Sequence, residues 1–450
     1  MKKIDAIIIG SGQGGVPLAV ELSNQGKEVV IFERSRMGGS CINWGCTPSK
    51  AFLGAAHAAG RARHAEELGV YTHVTIDFPR VMERVRHVRD SFTQSSEKRL
   101  RKAGITIKFS EASFDSQGNV NSEDGQYNAP LVVIDTGSSP ATPPIPDLDV
   151  EPFLTDRNFW ELKELPQRTL VLGAGYIGLE LGQGLARLGS KVQIIEKADR
   201  PMSQEDSDIS AVLKEALEND GIEFHLDADI ERVAYKWDLY RVYLKNGREL
   251  EGDALLVAAG RRPNTEALNA QAAGIELDDK GIIKVNDRFE TTRPGVYAIG
   301  EVAGQPAFTH VSWEDYRRLL AILDGNQRSR NDRVLGYAAL TEPQVARAGL
   351  TLNQAKKQGY NARAKRMEVR HMARAIEWGH HLGFYELVVD DDTDRIIGAT
   401  LVGYETAELV HILLDLIESK ITWHQLDTFQ HIHPTYAENI PSIARMFKEE

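Results

Sequence analysis

The stretch Ala6-Ile7-Ile8-Ile9-Gly10-Ser11-Gly12-Gln13-Gly14-Gly15 runs from four apolar residues straight into a glycine-rich turn. Short apolar runs rich in β-branched residues read as buried strands, and clustered glycines mark a turn. The turn glycines Gly10, Gly12 and Gly15 let a backbone approach a pyrophosphate closely. The helix that follows offers its positive N-terminal end to that charge, and a carboxylate about twenty residues on accepts hydrogen bonds from a ribose. Glu33 supplies the carboxylate, closing the strand Glu28-Val29-Val30-Ile31-Phe32. The order recurs downstream. Leu170-Val171-Leu172 leads into Gly173-Ala174-Gly175-Tyr176-Ile177-Gly178, and Glu196 closes Lys191-Val192-Gln193-Ile194-Ile195 at the same offset from the first glycine. One GxGxxG is weak evidence, but two copies with strand, helix and acid all in place imply two nucleotide sites.

Shortly after Glu33 come the only two cysteines, in Gly38-Gly39-Ser40-Cys41-Ile42-Asn43-Trp44-Gly45-Cys46-Thr47-Pro48-Ser49-Lys50. Residues five apart in a regular helix have Cα atoms roughly 8.6 Å apart, and a disulfide spans at most about 7 Å. The pair can therefore bridge only across a distorted first turn, which Gly45 and Pro48 are suited to supply. In a reducing compartment a lone cysteine pair points to redox catalysis or metal binding before a structural staple. Two thiolates without nearby His or further Cys make a poor zinc site, so no metal is expected, and the bland alternative is a pair of buried structural thiols.

At 450 residues the chain is long enough for roughly three domains, and 42% hydrophobic with 26% charged residues is ordinary for a soluble enzyme. A net charge of −12 argues against nucleic acid as a partner, and Arg61-Ala62-Arg63-His64 reads as a solvated helix face. No run reaches the ~18 apolar residues of a membrane span, and the first residues have too short an apolar run for a signal peptide. A cytoplasmic location without membrane attachment is the expectation. Asp135-Thr136-Gly137-Ser138-Ser139-Pro140 and the Pro-rich 143–146 mark a boundary. The second nucleotide domain starts there and ends near Gly260-Arg261-Arg262-Pro263-Asn264, after which the chain returns to the first domain. Residues 326–333 read as a polar linker. The remainder alternates strands such as 387–389 with amphipathic helices such as 408–417. The fold class expected is α/β, with two Rossmann-like dinucleotide-binding domains and a C-terminal α+β domain, divided as 1–145, 146–257, 258–328 (return segment) and 329–450.

With these two units and a Cys-x4-Cys pair just after the first, the chain resembles the flavin-dependent pyridine nucleotide–disulfide oxidoreductases over nearly its full length. The likeness extends through Gly-Tyr-Ile-Gly-Leu-Glu ending at Glu180, Tyr297-Ala298-Ile299-Gly300-Glu301, Leu340-Thr341-Glu342-Pro343 and His433-Pro434-Thr435-Tyr436-Ala437-Glu438. The last is similar to the His-Pro-Thr-x-x-Glu of dihydrolipoamide dehydrogenases, and the whole also resembles mercuric reductase-like sequences. The resemblance implies FAD at the first site, with Gly10, Gly12, Gly15, Glu33, Lys50, Thr136, Gly137, Gly300, Glu301, Thr309 and His310 around it. It implies a nicotinamide nucleotide at the second, with Gly173, Gly175, Gly178, Glu196 and Gly260. A carboxylate at Glu196 favours NADH over NADPH, although Lys197 and Arg200 could offset it. Tyr176 matches the tyrosine that covers the flavin until the nucleotide displaces it. An aromatic there could equally pack the helix.

By the same resemblance Cys46 is the sulfur nearer the flavin and Cys41 the exchange sulfur, with His433 as proton donor polarised by Glu438 and Lys50–Glu180 as an ion pair beside the flavin. His431 competes with His433, and Lys50 and Glu180 could be two unconnected charges. The cysteines and His433 meet across a dimer in the family, so a homodimer with shared sites is expected. Glu301 departs from the family's Gly-Asp, which puts its contact with the ribityl chain in doubt, and Trp44 departs from smaller residues and could narrow access to Cys41. Mercuric reductases carry a further C-terminal Cys pair and an N-terminal metal module, neither of which is expected here. A small disulfide or dithiol, lipoamide foremost, is the expected substrate. Reduction of metal ions or reactive oxidants is the alternative, and a flavin-containing binding or structural subunit is the alternative from another class.

Overall fold

The computed structural model describes residues 1–148 and 152–448. The opening stretch forms the fully buried strand Ala6–Ile9, which lies at the centre of a five-stranded parallel sheet. Leu131–Ile134 and Val296–Ala298 flank it on one side, Val29–Glu33 and Thr106–Phe109 on the other. Strands buried on both faces need no alternation, which is why Ala-Ile-Ile-Ile is apolar throughout. The helix Gly15–Asn24 crosses over between the first two strands. Glu33 is the last residue of its strand, and Glu196 follows directly after its own.

The second unit repeats the plan with four parallel strands: Glu223–His225, Lys191–Ile195, Arg168–Leu172 and Ala254–Val257. A three-stranded antiparallel sheet, Ile230–Lys236, Leu239–Leu244 and Glu249–Gly252, packs beside it. The chain leaves and re-enters the first unit through two short segments that pair with each other, Ser138–Pro140 against Arg261–Pro263. Asn264 stitches this crossing: its amide nitrogen donates to the Thr136 carbonyl at 2.8 Å, and its backbone nitrogen donates to the Gly137 carbonyl at 2.9 Å.

The C-terminal portion is a five-stranded antiparallel sheet in the order Gly336–Ala339, Gln344–Gly349, Arg395–Gly403, Phe384–Asp390, Ala362–Glu368. Helices including Thr406–Glu418 and Asn439–Arg445 pack on it. Residues 326–333 hold no regular helix or strand, in keeping with a linker, but they are pinned: Arg318 donates to the Ser329 carbonyl at 2.9 Å and Arg330 to the Ala303 carbonyl at 3.0 Å. Among the described residues no helix is long and apolar enough to cross a membrane.

Candidate active site

In both units the acidic residue reaches back to the glycine turn. Glu33 accepts from the Ser11 hydroxyl at 2.6 Å and the Ser11 N–H at 3.2 Å, and its other oxygen accepts from Ser35 N–H at 2.8 Å. Glu196 accepts from Ala174 N–H at 2.7 Å and Ala198 N–H at 2.9 Å. Ser11 and Ala174 each follow the first glycine, so the two units share one wiring. Gly10 and Gly173 sit at φ +104° and +102°, a region open to glycine. A Cβ on Gly178 would come within 2.0 Å of the Gly173 carbonyl, whereas one on Gly175 or Gly137 would point into open space. The turns are thus tight where they pack on the protein and open on the opposite side.

The first turn opens on a cleft lined by Gly12, Gln13, Cys41, Thr136, Gly137 and Glu301, among others. Glu301 does face it, but its carboxylate is engaged by the Ser138 hydroxyl, with Arg261 Nε at 3.7 Å. Beneath the turn lies a group that sequence reasoning passed over. Asp135, wholly buried, accepts from Gly15 N–H at 2.7 Å and from the Ser312 hydroxyl at 3.1 Å, and burial pushes its pKa up to about 7. The motif Asp135-Thr136-Gly137 reads as a turn, and nothing in it signals a carboxylate turned inward.

The cysteine segment breaks where expected. The helix Gly39–Asn43 ends, Trp44 and Gly45 leave helical geometry, and a new helix Cys46–His64 starts at Cys46 itself. The Trp44 and Gly45 N–H groups both turn back to the Ser40 carbonyl, at 2.9 and 2.6 Å. Across this break the two free thiols are close enough to shift each other's pKa. Cys46 lies 3.2 Å from the Thr309 hydroxyl. Hydrogen bonding from Cys41 outweighs burial, and with Thr309 and Lys50 it lowers the Cys46 pKa to about 6; Cys41 is driven far up by the same partnership. One proton is therefore shared unequally, with the thiolate on Cys46.

Lys50 Nζ donates to Glu180 at 2.8 Å. Burial opposes its charge, but the Glu180 carboxylate overcomes this and holds the Lys50 pKa above its ordinary value. Glu180, with 8% of its side chain exposed, also accepts from Leu340 N–H at 2.7 Å. The reading of two unconnected charges is therefore set aside, and Leu340-Thr341-Glu342-Pro343 gains a role as the segment that docks on the helix Tyr176–Leu188. Glu342 there pairs with Arg187 and, at 2.7 Å, with Arg61. His64 contacts Asp220 at 3.1 Å. The run 61–64 is largely solvent-exposed, as a solvated helix face should be, and its Arg61 and His64 also pair with carboxylates from elements more than a hundred residues away.

Trp44 lines the cleft together with Cys41. Its carbonyl accepts from Trp160 Nε1 at 2.9 Å, and the Arg157 guanidinium lies 3.8 Å over its ring. His310 stacks on the cleft-lining Phe308 at 5.6 Å and bonds the Gly336 carbonyl at 2.6 Å. Gly260, at φ +135°, follows the strand Ala254–Val257 and accepts from Ala141 N–H at 3.0 Å. His433 Nδ1 meets both Glu438 oxygens, at 2.9 and 3.1 Å, with 71% of the imidazole side chain exposed. Neither residue is among the partners of the two sulfurs within one chain. His431 holds only a 3.4 Å contact to the Phe429 carbonyl.

Residues 4–315 match the family described as pyridine nucleotide-disulphide oxidoreductase, and residues 336–444 match its dimerisation domain. The chain belongs to the pyridine nucleotide-disulphide oxidoreductases. It is therefore a flavin-dependent oxidoreductase that uses FAD and a nicotinamide nucleotide, and the two glycine cradles fit those groups. It is 32% identical to a dihydrolipoyl dehydrogenase of Halobacterium salinarum, over 96% of this chain and 94% of that protein. It is 30% identical to a mercuric reductase of Bacillus cereus, over 99% of this chain and 72% of that one. The HOCl-induced flavoprotein disulfide reductase RclA of Escherichia coli, solved as a Cu(II) complex, superposes with a TM-score of 0.89 at 29% identity, covering 99% of this chain and all of that one. The oxidoreductase fold thus matches the architecture read from the glycine turns.

Proposed function

We propose that this oxidoreductase is an NADH-dependent reductase of a small disulfide, of dihydrolipoamide dehydrogenase type, working as a cytoplasmic homodimer. The observation that carries the reading is the placement of the Cys41–Cys46 pair at a helix break on the cofactor cleft, with Cys46 3.2 Å from the Thr309 hydroxyl and Lys50 held at 2.8 Å by Glu180. FAD held at the Gly10, Gly12 and Gly15 turn near Glu33 would supply two-electron transfer between a nicotinamide and the Cys41–Cys46 disulfide. Lys50, held by Glu180, places a positive charge beside Cys46 and stabilises its thiolate. His433 of the partner subunit, oriented by Glu438, takes the Cys41 proton. Cys41 then attacks the substrate disulfide, and the same imidazole returns that proton to the departing sulfur. Cys46 attacks Cys41, releases the second substrate thiol and restores the Cys41–Cys46 disulfide.

NADH is favoured because Glu196 is fixed by two backbone donors with its face toward the turn, while Arg200 is spent on Asp199 and the Ser203 carbonyl, each at 3.2 Å. Glu196→Ser is expected to raise the NADPH-to-NADH ratio of kcat/KM by about tenfold or more, because a carboxylate that repels a 2′-phosphate is replaced by a neutral hydroxyl. An unchanged ratio in steady-state assays with both nucleotides would remove Glu196 from that role.

Reduction of metal ions or reactive oxidants is the second reading, favoured by the likeness to the mercuric reductase and to RclA. Against it, the 450 residues hold two cysteines, both in the Cys-x4-Cys pair. Steady NADH turnover with lipoamide is the expected result. Turnover only with Hg(II), Cu(II) or hypochlorite would establish the second reading, and a flavin left oxidised by NADH would indicate a binding subunit.

A further inference from the structure

Tyr176 is held by its hydroxyl as well as its ring. The ring lies edge-on to Phe308 and Tyr337, with centroids 5.8 and 6.2 Å away. Phe308 stacks on Tyr337 at 4.9 Å, lines the cofactor cleft, and immediately precedes the Thr309 that contacts Cys46. The Tyr176 hydroxyl donates to Glu205 Oε1 at 2.8 Å, and the Tyr337 hydroxyl donates to the same oxygen at 2.9 Å. Glu205 Oε2 accepts from Arg347 Nε at 2.6 Å. Arg347, itself buried, donates further to Asp206 at 2.6 Å and to the Thr400 hydroxyl at 2.9 Å.

This carboxylate bridges two parts of the fold. Glu205 precedes the helix Ser207–Asn219 of the second nucleotide unit, whereas Tyr337, Arg347 and Thr400 stand on the three adjacent strands Gly336–Ala339, Gln344–Gly349 and Arg395–Gly403 of the C-terminal sheet. A buried Arg–carboxylate pair with its remaining hydrogen bonds satisfied is rigid. Burial, and then the Glu205 charge, push the pKa values of both phenols upward, so each stays a donor. If Tyr176 moves, Glu205 does not follow.

We propose that Glu205 is a positioning residue that latches Tyr176 closed across the nicotinamide entry, so that the C-terminal domain sets nucleotide affinity without touching the nucleotide. The proposal rests on the reading of Tyr176 as the residue that an entering nucleotide displaces. To admit the nucleotide, Tyr176 gives up a hydrogen bond to a charged acceptor, while Glu205 keeps Tyr337 and Arg347. The apparent affinity is then lowered by the fraction of molecules in which the bond is already broken.

The test is calorimetric titration of NAD+ into the oxidised holoenzyme. Tyr176→Phe keeps the ring and removes the donor, and it is expected to lower the Kd for NAD+ by about three- to tenfold, the scale of one charge-assisted hydrogen bond offset by water. Glu205→Gln, a weaker acceptor, shifts Kd the same way. The double variant gains no more than the larger single one, since both break one bond. An unchanged or raised Kd in Tyr176→Phe overturns the latch, as do additive gains in the double variant. Tyr176→Ala separates the two layers. If it alters Kd while Tyr176→Phe does not, the tyrosine gates without a latch. If neither variant alters Kd, the gating role itself fails and the latch with it.

Discussion

Cys41→Ser is expected to keep a long-wavelength thiolate-to-flavin absorption after reduction and to lose disulfide turnover by several orders of magnitude, the scale on which loss of an enzyme's nucleophile is felt. Cys46→Ser is expected to lose both. The reason is the hydrogen bond between the two sulfurs, which lowers Cys46 as acceptor and raises Cys41 as donor, with Thr309 3.2 Å from Cys46 adding to the thiolate's stability there. The same asymmetry sets a pH dependence for the reduced wild-type enzyme. A thiol whose pKa is depressed to about 6 carries its charge above that value and loses it below, so the band should hold at neutral pH and bleach as pH falls through about 6. Anaerobic spectra of the two variants, and a pH titration of the wild type, decide the matter. Absence of the band in both variants would reverse or void the division of roles.

Mixing two inactive variants is expected to restore activity. His433→Ala should depress disulfide turnover by about a hundredfold or more, the usual worth of a positioned acid–base group. Cys41→Ser should abolish turnover. If each site takes its cysteines from one chain and its imidazole from the other, a mixed dimer holds one site with both defects and one with neither. Coexpression should then recover about one quarter of wild-type turnover, since half of a random mixture is heterodimer with one intact site. His433 motivates the experiment by its position: it is paired with Glu438 yet exposed, and in contact with neither sulfur of its own chain. Recovery near zero from heterodimers verified by two affinity tags would place the complete site within one chain.

The parts of the site that the sequence displays are those built from neighbours along the chain. The glycine turns with Glu33 and Glu196, the break at Trp44 and Gly45, and the His433–Glu438 contact each span a single supersecondary unit, so spacing alone reports them. Contacts between units were legible only by resemblance, as with Lys50–Glu180, or not foreseen, as with Cys46–Thr309. Others were not legible at all. Gln204-Glu205-Asp206-Ser207 has the composition of a solvated helix start, and only the packing of Arg347 against it reveals a buried anchor. Asp135 reads as a turn residue because aspartate is common in turns, yet it is buried beneath Gly15. His310 belongs to a motif around the cofactor, but the Gly336 carbonyl draws its ring toward the C-terminal sheet.

The chain's order of residues thus determined two nucleotide-binding units, a strained dithiol turn beside the first, and a C-terminal α+β domain. Hydrophobic period, glycine freedom and capping act over a few residues and leave a direct trace in the string. The tertiary structure alone decided which sulfur carries the charge, which carboxylates are buried, and which part of the molecule restrains Tyr176. Those outcomes depend on desolvation and on partners brought from 130 to 263 positions away, including Glu180 for Lys50, Glu205 for Arg347 and Thr309 for Cys46. Burial and long-range charge are properties of the packed molecule, and no local pattern encodes them.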